Sequence, residues 1–149
     1  MKKTTWASHA LGYLAEAGYR SGGARRKVVE YLDGQDCCLS AQETHERLTA
    51  TGARVGIASV YRVLDLLAER DLLTRVDLGD GVARYEPARP GGHHHHHLVC
   101  GDCGKVEAFE DDALERELSR VADRLGYAMD AHDVVLRGAC EDCATANPA

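Results

Sequence analysis

Length, composition and charge define the class of protein. The chain has 149 residues, of which 44% are hydrophobic and 28% charged, as in globular proteins and unlike disordered chains. No apolar run approaches the roughly 20 residues of a membrane helix, and the N-terminal segment lacks the apolar centre of a secretory signal. We therefore expect a cytoplasmic protein that does not enter a membrane. The net charge is +1 over residues 1–92 and −7 over residues 93–149, which predicts two modules with different partners.

Helical patterns occupy the first part of the chain. An amphipathic helix is predicted from about Thr4 to Ala17, and a second from about Ala24 to Leu32. A third follows Ser40, because Glu43 lies three residues further on and completes a capping box. A fourth, IASVYRVLDLLAERDLL, follows Gly56, and its apolar stripe consists of Val60, Val63, Leu64 and Leu67.

The next segment, LTRVDLGDGVARYE, predicts two short strands that form a hairpin around residues 79–81. Helices followed by a hairpin are typical of the winged helix-turn-helix, which we predict for residues 1–86, with the fourth helix as the recognition helix. Tyr61 and Arg62 face outward from that helix and can bind bases or phosphates. An ordinary solvated helix face would show the same pattern, so the pattern alone leaves both interpretations open.

A linker rich in proline and glycine, residues 87–92, separates this domain from five consecutive histidines. If the histidine segment is extended, its side chains alternate between two faces. His95 and His97 then lie on one face, and His94 and His96 lie on the other. The alternation predicts two separate groups of imidazoles and not one cluster.

Cysteine spacing predicts a metal site. Four of the six cysteines form two C-x-x-C pairs with 36 residues between them: Cys100, Cys103, Cys140 and Cys143. Repeated pairs in a cytosolic chain are typical of zinc sites rather than disulfides, and no βαβ pattern supports a redox pair. Four thiolates fill a tetrahedral Zn²⁺ shell, which leaves no position for a substrate and predicts a structural site. The remaining Cys37 and Cys38 are interpreted as ordinary buried thiols.

Residues 93–149 are predicted to form a small α/β lobe. After the histidine strand come a strand at 105–109, a helix over DDALERELSRVADRLG and a final strand over HDVVLRGAC. The inward face of the helix is predicted to consist of Leu114, Leu118, Val121 and Leu125. A lobe of under about 60 residues has a marginal core, so we expect dimerisation through a strand edge and an apolar face. The predicted fold class is α+β, with an N-terminal winged helix and a C-terminal dimerisation lobe that holds structural zinc.

Three motifs, SVYRVLDLL, HHHHHLVCGDCGKVEAF and GACEDC, resemble those of the ferric uptake regulator family of bacterial metal-responsive repressors. The similarity extends from about Ala17 to Cys143, and the motifs occur in the family's order and spacing. The resemblance implies a homodimer that binds a divalent metal as corepressor and then binds palindromic double-stranded operator DNA, controlling metal uptake or stress genes. It implies no membrane and no small organic substrate as a partner.

The resemblance also assigns roles to individual residues. The structural zinc ligands are the paired cysteines, Cys100, Cys103, Cys140 and Cys143. The regulatory metal site contains Glu86, His95 and His97. A further metal site within the dimerisation lobe contains His94, His96, Glu115 and His132. DNA contacts are assigned to Arg20 in the minor groove and to the recognition-helix residues Ser59, Tyr61 and Arg62.

The chain departs from the family pattern at two positions of the regulatory site. Cys38 stands where many members have a histidine before the third helix, so we add Cys38 to the predicted ligands. Zinc-sensing members commonly have a cysteine shortly after the strand tyrosine, and residues 86–92 contain none. A thiolate at Cys38 favours Zn²⁺, whereas Glu86 with two histidines suits Fe²⁺ or Mn²⁺. Besides the structural Zn²⁺ we therefore expect Fe²⁺, Zn²⁺ or Mn²⁺ as the regulatory metal, with iron slightly favoured.

Other functions stay open at this stage. Within the same family, the chain could be a zinc-sensing or a peroxide-sensing regulator. In a different class, it could be a zinc-containing DNA-binding protein that senses nothing, with the histidines as a metal store. A hydrolase with an open catalytic metal is disfavoured, because the sequence has neither an evident general-base motif nor H-E-x-x-H. We therefore do not expect an enzyme.

Overall fold

The computed structural model describes residues 5–89 and 95–146. They belong to two compact units, Met1–His93 and His94–Ala149. The last three residues of the predicted linker 87–92 lie outside the described part of the chain, as does His94. Among the described residues, no helix is both long enough and apolar enough to cross a membrane.

The N-terminal unit contains helices and a three-stranded antiparallel sheet. The helices are α1 (Trp6–Glu16), α2 (Gly23–Asp33), α3 (Ala41–Ala50) and α4 (Ile57–Glu69). The strands are β1 (Leu39–Ser40), β2 (Leu73–Asp77) and β3 (Ala83–Pro87), in the spatial order β1-β3-β2. This arrangement confirms the predicted winged helix-turn-helix, in which β2 and β3 form the wing.

Side-chain caps fix where two of these helices begin. Thr5 caps α1 by accepting a hydrogen bond from the Ser8 amide at 3.2 Å, while Thr4, where the helix is predicted to start, lies outside the described residues. The capping box before α3 is confirmed. The Glu43 amide donates to Ser40 Oγ at 3.1 Å, and the Ser40 amide donates to the Glu43 carboxylate at 2.8 Å.

The recognition helix α4 ends four residues earlier than predicted. Apolar spacing continues through Leu72 and Leu73, and for that reason the sequence predicts helix to Leu73. The chain instead turns at Asp71, whose φ of 54° is left-handed. Aspartate tolerates this conformation better than most residues, and the turn allows Leu73 to begin β2.

A single apolar core orients α4. The predicted stripe is confirmed as buried: Val60, Val63, Leu64 and Leu67. The Trp6 indole is also buried and donates to the Leu72 carbonyl at 2.9 Å, which joins α1 to the turn before β2. Burial of each large apolar side chain contributes about 1.5–3 kcal/mol, so the inward face of α4 is strongly specified. Its opposite face, with Tyr61 and Arg62, is therefore held toward solvent.

The C-terminal unit is a three-stranded mixed sheet with two helices. Its strands are β4 (His96–Cys100), β5 (Val106–Phe109) and β6 (Val135–Gly138), and its helices are α5 (Asp112–Leu125) and α6 (Glu141–Ala146). The central strand β4 pairs antiparallel with β5 and parallel with β6. Because β4 and β6 are parallel and Cys100 is aligned with Gly138, the two C-x-x-C segments emerge at the same end of the sheet.

The predicted inward face of α5 is only partly buried in the single chain. Leu114 and Leu118 are half-buried, but Val121 is 40% exposed and Leu125 is 64% exposed. The lobe therefore covers only part of the apolar stripe. Helix ends are well defined nonetheless, since Asp111 caps the start and Gly126 ends the helix at φ 79°.

Candidate metal sites and DNA-binding face

The four paired cysteines converge on one point. One sulfur from each of Cys100, Cys103, Cys140 and Cys143 lies within 4.8 Å of every other. Cys100 ends β4, and Cys103 lies on the turn that follows. Cys140 immediately precedes α6, and Cys143 lies in its first turn. Cys103 Sγ and Cys140 Sγ are 3.8 Å apart, close to the separation of about 3.8 Å for two sulfurs at 2.3 Å from a tetrahedral ion. The donor set therefore fits Zn²⁺.

Backbone amides prepare the Cys100 sulfur for a cation. Hydrogen bonds from the Cys103 and Cys140 backbone lower the pKa of the Cys100 thiol to about 6, and the Cys140 amide lies 3.3 Å from the sulfur. Sulfur–sulfur contacts with Cys140 and Cys103 instead raise the pKa of the Cys143 thiol. These hydrogen bonds favour the thiolate form of Cys100, which is the form that binds a metal.

A second cluster joins β4 to α5. His96, Glu115 and His132 bring ligand atoms within 4.8 Å of one another. His96 Nε2 lies 2.5 Å from Glu115 Oε1, and His132 Nε2 lies 3.0 Å from Glu115 Oε2. His96 is only 1% exposed, and the Phe109 ring lies 5.4 Å from its own. Three of the four residues predicted for the additional site are therefore adjacent, and the fourth, His94, lies outside the described residues.

His95 has a different environment from His96, as the alternation along the strand predicts. His95 Nε2 lies 2.9 Å from Glu110 Oε1. His96 is paired with Phe109, and continuing that register by one residue brings Glu110 beside His95. Sequence reasoning missed Glu110, because the pairing of β4 with β5 has to be known before an acidic residue after a strand can be placed. His97 pairs with Ala108 on β5 and with Val135 on β6.

The N-terminal unit brings Cys38 close to Glu86. In the sheet, Leu39 pairs with Tyr85, and one more step of that register places Cys38 beside Glu86. The Cys37 sulfur lies 3.9 Å from that of Cys38. This sulfur–sulfur contact, burial and the nearby Glu86 carboxylate raise the pKa of the Cys38 thiol well above its usual range. Two of the predicted regulatory ligands are therefore neighbours within this unit.

The residues assigned to DNA lie on the outer surface of the winged helix. Tyr61 is 50% exposed and Arg62 is exposed on the outward face of α4. Ser59, one turn earlier, accepts a hydrogen bond from Arg62 Nη2 at 3.3 Å. Arg20 is exposed in the segment between α1 and α2. These four side chains are therefore available to a duplex.

Sequence reasoning missed a cation–π group that supports Arg20. The Tyr19 ring lies 5.6 Å from the Arg25 guanidinium and 5.3 Å from the Arg70 guanidinium. Arg25 also donates to the Arg20 carbonyl, and Arg70 donates to the Tyr19 hydroxyl. Arg70 is the residue immediately after α4, so this contact between residues 51 positions apart joins the Arg20 segment to the end of the recognition helix. Only the tertiary structure shows that proximity.

Comparison with known proteins gives one consistent family. Residues 16–137 match the sequence model of the ferric uptake regulator family. The ferric uptake regulation protein of Klebsiella pneumoniae is 36% identical over 137 residues, which cover 90% of this chain and 87% of the relative.

Solved structures show the same similarity. The ferric uptake regulator of Vibrio cholerae is 34% identical, with a TM-score of 0.74 over 87% of this chain and 98% of that one. The ferric uptake regulator of Helicobacter pylori, described as having three functional metal-binding sites, is 25% identical. Its TM-score is 0.78 over 96% of this chain and 97% of that one. The fold described above is thus shared along nearly the full length of both proteins.

Proposed function

The chain belongs to the ferric uptake regulator family, and from this premise we propose that it is a metal-dependent transcriptional repressor acting as a homodimer on palindromic operator DNA. It acts in the cytoplasm, where its operator lies, and it is a regulator and not an enzyme. The single observation that carries the proposal is the combination, in one chain, of a winged helix with an exposed reading face and a separate unit with clustered metal-binding side chains.

The DNA interface is proposed to centre on α4. Arginine offers a fork of donors to guanine or phosphate, and tyrosine offers a hydroxyl and an apolar ring to a thymine methyl. Tyr61 and Arg62 would contact bases in the major groove, with Ser59 holding the Arg62 side chain by the hydrogen bond already described. Arg20 would contact the minor groove. In a homodimer, two copies of α4 would meet successive major grooves, about 34 Å or one helical turn apart.

The four-cysteine cluster is proposed to hold a structural Zn²⁺. Its sulfur separations and the amide bonds to Cys100 support this role. A closed set of four thiolates supplies stability to a lobe with a small core and leaves no position for a reactive ligand. The cluster of His96, Glu115 and His132, together with His94, is proposed as an additional metal site inside the same lobe.

The regulatory site is proposed to take ligands from both units. Cys38 and Glu86 belong to the DNA-binding unit, and His95 and His97 belong to the dimerisation unit. Side chains from two units can all reach one ion in only some orientations of those units. The ion then stabilises those orientations by its differential affinity, and DNA affinity rises because they match the half-site spacing. The regulatory ion is a divalent metal, Fe²⁺, Zn²⁺ or Mn²⁺.

A titration of DNA affinity tests the proposal. Duplexes selected from a random pool by the metal-loaded protein would supply the operator, and fluorescence anisotropy would give its dissociation constant. We expect a rise in affinity of about tenfold or more on addition of a regulatory metal, within the usual range of allosteric coupling. An unchanged dissociation constant across all metal occupancies would support the alternative of a protein that binds DNA and stores metal without sensing it.

Sensing of peroxide is a distinct outcome of the same assay. A peroxide sensor would lose its metal-dependent DNA affinity after treatment with peroxide in the presence of Fe²⁺ and keep it in the presence of Mn²⁺. Mass spectrometry of the treated protein would show oxygen added at His95 or His97.

A further inference from the structure

We infer that Cys37 and Cys38 together form a dithiolate ligand for Zn²⁺ in the DNA-binding unit, so that zinc is the regulatory metal. This inference rests on the proposed function, because it names the metal of the same regulatory site. It adds Cys37, which neither the motifs nor the spacing of the chain assigns to any site, and it replaces the slight preference for iron.

The separation of the two sulfurs is the first observation. Cys37 Sγ and Cys38 Sγ are 3.9 Å apart. Two thiolates bound to one tetrahedral Zn²⁺ at 2.3 Å are separated by about 3.8 Å, whereas a disulfide requires about 2.05 Å. The spacing therefore fits two ligands of one ion and is too long for a disulfide.

The sulfur–sulfur distance of this pair can be compared with one in the four-cysteine cluster of the same chain. In the four-cysteine cluster, Cys103 Sγ and Cys140 Sγ are 3.8 Å apart. The vicinal pair differs from that separation by only 0.1 Å. Adjacent residues of a regular strand point to opposite faces, but here a bend at Asp36 and Cys37, just before β1, turns both sulfurs toward each other.

The residues around the pair supply a third donor, a carboxylate, and bury part of the pair away from solvent. The register of β1 with β3 places the Glu86 carboxylate beside Cys38. Cys38 is 3% exposed, while Cys37 is half-buried, so an ion can enter from the Cys37 side. Two thiolates and one carboxylate suit Zn²⁺, because soft sulfur ligands favour zinc over Fe²⁺ and Mn²⁺.

Cobalt substitution tests whether both sulfurs bind metal. The full-length protein is reduced with a reagent that contains no thiol and is kept anaerobic. It is loaded with one Zn²⁺ per chain to fill the four-cysteine cluster and is then titrated with Co²⁺. Sulfur–cobalt charge transfer absorbs in the near ultraviolet, whereas histidine and carboxylate ligands give no such band. We expect a band in the wild type, about half its intensity in Cys37→Ser or Cys38→Ser, and none in the double variant, because each serine removes one Co–S bond.

The variant His94→Ala/His96→Ala is the matched control, since it removes ligands of another proposed site and should leave the band unchanged. A wild type without the band overturns the inference. A band that Cys38→Ser abolishes and Cys37→Ser leaves intact also overturns it, because Cys37 would then be no ligand. The inference also fails if mass spectrometry of the reduced protein shows the loss of two hydrogens, because Cys37 and Cys38 would then form a vicinal disulfide.

Protection from alkylation tests the pair without any substitution. Zinc-bound thiolates react slowly with iodoacetamide, so Zn²⁺ should slow alkylation of both Cys37 and Cys38 by about tenfold or more, as read from peptide masses. Equal rates with and without Zn²⁺ at these two positions contradict the inference even if a serine variant fails to fold.

DNA binding separates this inference from the proposed function. We expect Zn²⁺ to raise operator affinity at a free concentration about tenfold or more below that of Fe²⁺ or Mn²⁺, and Cys37→Ser to remove this preference. If Fe²⁺ alone raises the affinity and no cobalt–sulfur band forms, the repressor function stands and the inference fails. If the band forms but no metal changes operator affinity, the two sulfurs are metal ligands, but their regulatory role and the proposed function both fail.

Discussion

Neighbouring histidines on one strand meet different partners. His95 lies against Glu110, whereas His96 lies between Glu115 and the ring of Phe109. Because successive side chains of a strand point to opposite faces, ligands at odd and even positions cannot share one ion. Substitutions at the two sets of positions are therefore expected to have different effects.

Replacement of His95 and His97 by alanine should abolish metal-dependent DNA binding and leave a folded dimer. The proposed regulatory ion joins two units, and loss of two ligands removes the link while each unit keeps its own core. Anisotropy with operator DNA would show the loss of the metal response, and sedimentation would show the dimer.

The matched variant is His94→Ala/His96→Ala, which removes the same number of imidazoles from the other face. It should lower the melting temperature of the dimerisation lobe and weaken, without abolishing, the response of DNA binding to metal. Identical behaviour of the two double variants, or loss of response in the second alone, would show that the regulatory site is wrongly assigned.

Replacement of Cys100 or Cys140 by serine should unfold or monomerise the C-terminal lobe. Structural Zn²⁺ contributes roughly 10 kcal/mol or more to the folding of small metal-binding domains, and one missing thiolate opens the shell. Calorimetry and sedimentation would measure the change. Cys37→Ser, which also exchanges sulfur for oxygen but outside this cluster, is the control. A Cys100 variant that stays dimeric with unchanged melting would contradict the structural role.

Sequence alone predicts those site residues whose ligands are close in the chain. The C-x-x-C pairs and the alternation of the histidines are local patterns. In the structure the four cysteines converge, and the neighbouring His95 and His96 have different partners. Glu110 and Cys37 could not be found in this way. Glu110 becomes visible only when β4 pairs with β5, and the approach of the Cys37 sulfur depends on a bend that no residue type specifies.

At the scale of whole elements, α5 has an apolar surface that is partly exposed to solvent. It combines a strongly polar side with an apolar stripe that the lobe covers only in part, since Val121 and Leu125 are exposed. Leu98 and Leu136, adjacent on β4 and β6, are also 40% and 48% exposed. Apolar side chains on both a helix and a sheet are typical of a surface that a second copy covers.

Replacement of Leu125 by glutamate should weaken the dimer. A charge placed in an apolar interface has to be desolvated without a partner, which costs several kcal/mol. Analytical ultracentrifugation would measure the expected rise in the dissociation constant of the dimer, by about a hundredfold or more. Ser119→Glu, on the opposite side of α5, introduces the same charge and should leave the dimer intact. If both variants dissociate equally, the apolar stripe is not the interface.

Elements with strong patterns were predictable, and short elements were not. The helices α1 to α5 and the wing strands have clear periodicity or caps, and they form close to the predicted positions. The strand β1 has two residues and α6 has six, so in neither does a periodic pattern repeat often enough to be recognised. The end of α4 was misplaced because a single left-handed residue, Asp71, interrupts an apolar pattern that continues beyond it.

At the scale of the whole molecule, the two units differ in how completely they bury apolar side chains. The N-terminal unit has an apolar core of helices and a sheet, with large side chains such as Leu64 and Leu67 fully buried. The helix α5, by contrast, has no fully buried residue. We therefore expect the stability of the second unit to depend more on metal binding at the proposed four-cysteine site than on burial of apolar surface.

A strong chelator should therefore unfold the C-terminal unit and spare the N-terminal one. Scanning calorimetry should show two transitions in the zinc-loaded protein, of which only one is lost on chelation. The same chelator saturated with zinc beforehand is the control. Transitions that shift together by the same amount would indicate that the units unfold as one.

The buried indole of Trp6 has an optical consequence. It is the single tryptophan of the chain, and it lies in the core of the DNA-binding unit. Tryptophan emission therefore reports on that unit alone, because the C-terminal unit contains no tryptophan. A change in emission on addition of metal to the intact protein would show, without any added label, that metal binding alters the surroundings of Trp6 in the DNA-binding unit.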